Sequence, residues 1–145
     1  MVLAGATTLP GGGRVRGRGL RDPRPDDAAD PDFGLYLGTG WLRRRRGAGI
    51  AWPHVWISWP DFGLPLDAVA ARVAIVDLHA RVTRGEPVEV ACGGGTGRTG
   101  TVLACLATMD GLGPDDAVAW TRAHYRQRAV ETPWQRRWVR AFAGA

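Results

Sequence analysis

The sequence predicts a single α/β domain in which a central mixed, mostly parallel sheet is flanked by helices. Three observations carry this expectation. Short β-branched runs alternate along the chain with longer Ala- and Leu-rich runs, the pattern of strands interleaved with helices. Pro87-Val88-Glu89-Val90-Ala91 leads straight into a Gly-rich loop and then an apolar stretch from Gly97 to Met109, which puts a strand–loop–helix unit at the carboxyl end of a central strand. The 145 residues, 45% hydrophobic with seven Trp, suffice for one core and no more.

The elements follow in order. Residues 1–32 are rich in Gly, Pro, Arg and Asp, with Val15 and Leu20 fitting an edge strand and Pro23 to Pro31 reading as loop. Strands are expected near 34–38 and 54–58. Between them, Arg43-Arg44-Arg45-Arg46 reads as a loop tip. Leu66, Val69, Ala70, Val73, Val76 and Leu78 outline an amphipathic helix ending at Gly85. After the strand, loop and helix described above, Gly111-Leu112-Gly113-Pro114 breaks the chain. Asp115 and Asp116 then favour a helix start, running through Trp120 to Tyr125. Thr132-Pro133-Trp134-Gln135 has the form of a helix start, with Thr as N-cap, Pro at the first position and Gln as capping-box partner. The last helix is expected to turn Trp134, Trp138, Val139 and Phe142 inward. Residues 1–145 are read as one domain, with 33–142 as its core, and contain no repeats.

Composition narrows the partners. The net charge is +5, and all 19 basic residues are Arg. The Arg43–Arg46 run reads as a solvated turn or as a basic rim that steers anions. Nucleic acid is not expected, because neither a recognition motif nor an aromatic platform accompanies the run. No 18-residue apolar run predicts a membrane span, and no secretory signal is evident near Met1. Cys92 and Cys105 lie in one strand–loop–helix unit, which suits a reducing cytoplasm; Cys105 reads as a buried thiol. His54, His79 and His124 are scattered singly, so neither a metal site nor a cofactor is expected. A monomer is the expected state.

The chemistry is concentrated in Cys92-Gly93-Gly94-Gly95-Thr96-Gly97-Arg98-Thr99. Successive backbone N–H groups of such a loop, together with a helix N-terminus, bind a phosphate. Gly allows positive φ and close approach of the anion. Cys92 opens the loop and Arg98, a planar bidentate donor, closes it; Thr99 sets a hydroxyl beside the sulfur. Some thirty residues upstream, Trp59-Pro60-Asp61-Phe62-Gly63 follows the strand Val55-Trp56-Ile57-Ser58. Proline ends that strand and Asp61 is presented on a loop as a candidate proton donor. Gly95-x-Gly97-x-x-Gly100 also fits a dinucleotide fingerprint, but no second parallel strand ending in an acid follows it. The nucleotide P-loop is excluded by its spacing and by the absence of Lys.

Cys-x5-Arg-Thr after a strand resembles the signature of the protein tyrosine phosphatase superfamily, of the small bacterial type. Trp59-Pro60-Asp61 resembles that family's mobile acid loop, and Val130-Glu131-Thr132-Pro133-Trp134-Gln135 its late glutamine loop. The three blocks keep the family's order over roughly residues 33 to 142. The resemblance implies a phosphatase-like fold and a metal-independent phosphomonoester hydrolase acting through a Cys92 thiophosphate, most readily on phosphotyrosine in proteins. Gly93, Gly94, Gly95, Thr96, Gly97 and Arg98 would hold the phosphoryl group, and Asp61 would be the general acid. Glu131 and Gln135 are candidates for positioning water, with Gln135 equally explained as a cap. Dual-specificity, phosphoinositide or small-molecule phosphatases share the same chemistry, and a non-catalytic phosphate-binding module is the alternative of a different class. Two residues depart from the family pattern: Ala91 stands where a His precedes the nucleophile, and Glu131 where a Gln orients water.

Overall fold

The computed structural model describes residues 2–25 and 30–145. Five strands form one sheet in the order β1-β2-β5-β3-β4. They are β1 (Thr7–Thr8), β2 (Arg14–Gly19), β3 (Phe33–Leu37), β4 (His54–Ile57) and β5 (Val88–Cys92). Only the β1–β2 pair is antiparallel; β2, β3 and β4 join the sheet in parallel. β5 is therefore central, and its last residue is Cys92. Its carboxyl end opens onto the crevice where ligands of parallel α/β sheets bind.

Residue alternation sorts the two faces of the sheet. Phe33, Leu35 and Leu37 of β3 and Val88, Val90 and Cys92 of β5 enter the main core. That core is closed by α2 (Ala68–Thr83), α3 (Gly97–Met109), α4 (Pro114–His124) and α5 (Pro133–Gly144). Tyr36 and Ala91 point the other way, into a smaller cluster with Leu20, Leu42, Ile50 and Trp52. α1 (Gly40–Arg46) covers that side. α3 is buried from Gly97 through Ala107, and past the polar residues Arg98, Thr99 and Thr101 of its first turns the buried stretch 102–107 is apolar on every face.

Four expectations are corrected. β2 is not an edge strand: it lies between β1 and β5, and Leu20 falls just beyond it, its N–H donating to the Cys92 carbonyl at 2.8 Å. Arg43–Arg46 form the last turn of α1 rather than a loop tip, where cations complement the helix dipole. α2 buries Ala71, Ile75, Leu78 and Val82, leaving Leu66, Val69, Val73 and Val76 exposed. The run of β-branched residues there offers two apolar stripes, and the sheet takes the one that includes Ile75 and Leu78. On α5, Val139 and Phe142 face inward, but Trp134 lies at the surface. Its indole is drawn outward to a loop carbonyl described below.

Candidate active site

The cradle is built from the end of β5 and the start of α3. Cys92 is 2% exposed, and its sulfur accepts from the Gly95 N–H and from Thr99 Oγ1, each at 3.1 Å. Two donors converging on one sulfur stabilise negative charge there. Gly95 has φ +78°, and a Cβ there would lie 2.4 Å from the Gly19 nitrogen. Glycine is thus required twice over, by conformation and by the end of β2 pressing on the loop. The loop is also clamped from the residues that follow α4. The Tyr125 hydroxyl donates to the Gly95 carbonyl, and Arg126 Nη1 donates to the Gly94 carbonyl at 2.7 Å. Burial pushes the Tyr125 phenol pKa up, so it remains a donor.

Arg98 is 3% exposed and oriented by backbone. Its Nη1 donates to the carbonyls of Leu37 at 3.2 Å and Trp59 at 2.9 Å. Nη2 lies 3.3 Å from Asp61 Oδ1. Nε is buried with no hydrogen-bond partner among the described residues. Nε and Nη2 share one edge of the guanidinium, the fork that meets two oxygens of an oxyanion. A buried donor left without a partner costs about 1–3 kcal/mol, so this edge is built for an acceptor that arrives from outside.

The Trp-Pro-Asp loop is held over the cradle from both ends. The buried Trp59 donates through Nε1 to the Gly63 carbonyl at 2.8 Å. Trp134 Nε1 donates to the Phe62 carbonyl at 2.6 Å, and Gln135 Nε2 to the Gly63 carbonyl at 3.2 Å. Asp61 is half exposed, with Oδ1 accepting from the Phe62 N–H at 3.0 Å. Asp61, Phe62, Cys92, Gly94, Thr96 and Glu131 share a pocket of about 160 Å³, whose wall Arg21 also forms.

The late block resolves into two roles. Thr132 Oγ1 accepts from the Gln135 N–H at 3.1 Å, and Gln135 Oε1 accepts from the Glu131 N–H at 3.0 Å. Gln135 is therefore a buried cap that also tethers the acid loop. Glu131 reaches the pocket, where partial burial and the Asp61 carboxylate raise its pKa.

Sequence reasoning missed the support beneath Cys92. Glu89 is fully buried on β5. Arg16 donates to its Oε1 through Nε at 3.0 Å and Nη2 at 2.8 Å. Arg18 donates to Oε1 at 2.9 Å and Oε2 at 3.1 Å, and the Tyr36 hydroxyl to Oε2 at 2.6 Å. Trp52 Nε1 in turn donates to the Tyr36 oxygen at 2.7 Å. Burial alone would raise the Glu89 pKa, but hydrogen bonds from Arg18, Tyr36 and Arg16 outweigh it and hold the carboxyl below its ordinary value. The available signal was Arg16-x-Arg18 on a strand opposite a lone Glu in an otherwise apolar strand. Ala91 is completely enclosed on this same face, so the position before Cys92 is filled by packing. Cys105 is also fully buried, and burial drives its thiol pKa up.

These features meet in a strand–cradle–helix unit faced by a carboxylate on a Trp-Pro-Asp loop, the arrangement of a cysteine-based phosphatase. The sequence profile of the Swiss Army Knife protein DSP-PTPase phosphatase domain (PTP-SAK) matches residues 60–143, and the chain belongs to that family, within the protein tyrosine phosphatase superfamily. The crystal structure of Tk-PTP in the active form is similar over 97% of both chains, with a TM-score of 0.70 and 25% identity. The protein MJECL20 of Methanocaldococcus jannaschii is 36% identical over 91 residues, which are 62% of this chain and 59% of that protein. Tyrosine-protein phosphatase non-receptor type 9 of Mus musculus is 32% identical over 54% of this chain and 16% of its own length. The chain thus spans little more than half of the first of these relatives and a small part of the second. Among the described residues, no helix is long and apolar enough to cross a membrane.

Proposed function

We propose that the protein is a cysteine-dependent phosphomonoester hydrolase acting most readily on phosphotyrosine in proteins, with residues 33–142 as its catalytic core. The observation that carries this reading is the buried Arg98 guanidinium that closes the loop opened by Cys92, with Nε left without a partner among the described residues and Nη2 facing Asp61. In the first step the Cys92 thiolate attacks phosphorus in line and the bond to the leaving oxygen breaks. Asp61 gives that oxygen its proton. Arg98 and the loop amides from Gly93 to Gly97 hold the equatorial oxygens through the transition state. Thr99 steadies the sulfur as it later departs. In the second step water attacks the thiophosphate, the Asp61 carboxylate takes its proton, and the P–S bond breaks to return the thiolate and inorganic phosphate. Glu131, on the pocket wall, acts as an acceptor that orients this water.

The preference for an aryl ester is supported by Phe62, which is half exposed at the pocket lip and offers a ring face to a tyrosine. The test is hydrolysis of a phosphotyrosine peptide and of the same peptide carrying phosphothreonine, both with a chelator present. Turnover of the first with little of the second is expected. Comparable rates on both peptides would move the reading to dual specificity, and no turnover of either would overturn it.

A further inference from the structure

Beside the cradle, on the side where β2 ends, lies a second concavity of about 440 Å³. Arg18, Arg21, Arg24 and Arg46 line it over an apolar floor of Leu20 and Ile50. Arg21 also lines the pocket over Cys92, so the two cavities share a wall. Among the described residues, the second one's only acidic lining residue is Asp22, whose Oδ2 lies 3.4 Å from Arg126 Nη2 on the cradle clamp. Arg18 shares the single Glu89 carboxylate with Arg16. Arg24 lies over the Trp52 ring, 4.9 Å from its centroid, and pairs with Asp30 at 2.5 Å. Among the described residues, Arg21 and Arg46 have no carboxylate within ion-pair distance.

Arg18 and Arg24 are ion-paired, but Arg21 and Arg46 bring two guanidinium charges to the hollow without a carboxylate partner among the described residues, and like charges repel. An anion that enters relieves this, and a phosphate offers the oxygens that guanidinium forks prefer. Among the described residues, the lining of the hollow contains no cysteine or other nucleophile, so a phosphate held there is bound and not cleaved. It also gives the Arg43–Arg46 run a role at one position, since Arg46 alone of the four reaches the hollow.

We propose that this concavity is a second phosphate subsite, so that preferred substrates carry two phosphate groups. One would be hydrolysed over Cys92, and the other gripped by Arg21, Arg24 and Arg46. The proposal rests on the phosphatase reading above and narrows its substrate class. The same chemistry is offered by an inositol bisphosphate and by a peptide with phosphoserine close to phosphotyrosine, so both are assayed.

The experiment compares KM for each bisphosphate with its matched monophosphate, in wild type and in Arg46→Glu. A KM about tenfold lower for at least one bisphosphate is expected, equivalent to about 1.4 kcal/mol, with the advantage shrinking as salt is added. The scaffold that has the advantage identifies the source. Arg46→Glu should erase the advantage while leaving nitrophenyl phosphate hydrolysis unchanged, with a small fall in melting temperature because the last turn of α1 loses a cation. Equal KM values for mono- and bisphosphates on both scaffolds, or an advantage that survives Arg46→Glu, would overturn the proposal. Titration of the Cys92→Ser protein with each bisphosphate separates the two readings. If wild type hydrolyses nothing, the phosphatase reading fails. Bisphosphate binding that is lost with Arg46→Glu would still support the subsite, and binding indifferent to Arg46 would still overturn it.

Discussion

Glu89→Gln tests whether the buried ionic network holds up the strand that bears Cys92. Five hydrogen bonds converge on the carboxylate from Arg16, Arg18 and Tyr36. Arg16 and Glu89 are within 1% of complete burial. An amide has the same shape but no charge, and its NH₂ would face donors where an oxygen now faces them. Removing one partner of a buried pair strands the other, at a cost of about 3–5 kcal/mol. For a domain of this size that is a fall in Tm of roughly 10–15 °C. Tyr36→Phe removes a single charge-assisted bond and leaves Trp52 Nε1 without its acceptor, so about 1.5–3 kcal/mol is expected. Urea unfolding of the three proteins reads both values. The pH dependence follows from the direction of the Glu89 shift. Its pKa in the folded protein lies below the ordinary 4.5. The stabilisation is therefore complete above that ordinary value and is lost as pH falls through the lower, folded one. The gap between wild type and Glu89→Gln should close in acid. A gap under about 1 kcal/mol near neutral pH, below the range expected for a buried pair, or a gap unchanged in acid, would refute the reasoning.

Three further outcomes concern the site. Asp61→Asn should lower the rate on phosphotyrosine by about 10²–10⁴, and much less on nitrophenyl phosphate, whose leaving group needs little protonation; equal losses on the two substrates would place the acid elsewhere. Glu131→Gln removes a carboxylate facing a phosphoryl dianion, so KM for phenyl phosphate should fall several-fold near neutral pH; the difference should fade in acid, beginning at a higher pH than for an ordinary carboxyl because the Glu131 pKa is raised. Trp134→Phe deletes the indole donor to the Phe62 carbonyl, worth about 1 kcal/mol. Steady-state kinetics should show a several-fold loss of kcat on phenyl phosphate and little change on nitrophenyl phosphate; equal effects would mean that Trp134 does not position the acid loop.

The sheet class and the cradle were legible because each depends on local sequence. β5 through α3 is contiguous, and Cys92, Gly95, Arg98 and Thr99 carry their geometry with them. Asp61 was legible from Trp-Pro before it and a strand before that. The position of β2 was not, since its partner β5 lies some seventy residues away and Gly-rich strands carry little periodic signal. The exposed face of α2 was misjudged because Val69, Val73 and Val76 mark one stripe as clearly as Ala71, Ile75 and Leu78 mark another. The Glu89 network was hidden because charged residues are read as solvated unless their partners are known. Only the register that sets Arg16 opposite Glu89 reveals it. Gln135 was legible as a cap, whereas its tether to Gly63 required the fold.

The central claim is that Cys92 is a nucleophile in an anion cradle whose grip belongs mainly to Arg98 and the loop amides. The most direct measurement pairs nitrophenyl phosphate turnover with orthovanadate or phosphate binding, in wild type and in Cys92→Ser. The account predicts that turnover disappears in Cys92→Ser while phosphate still binds within a few-fold of wild type, because Nε and Nη2 of Arg98 and the loop N–H groups are untouched. Substantial turnover remaining in Cys92→Ser would contradict it.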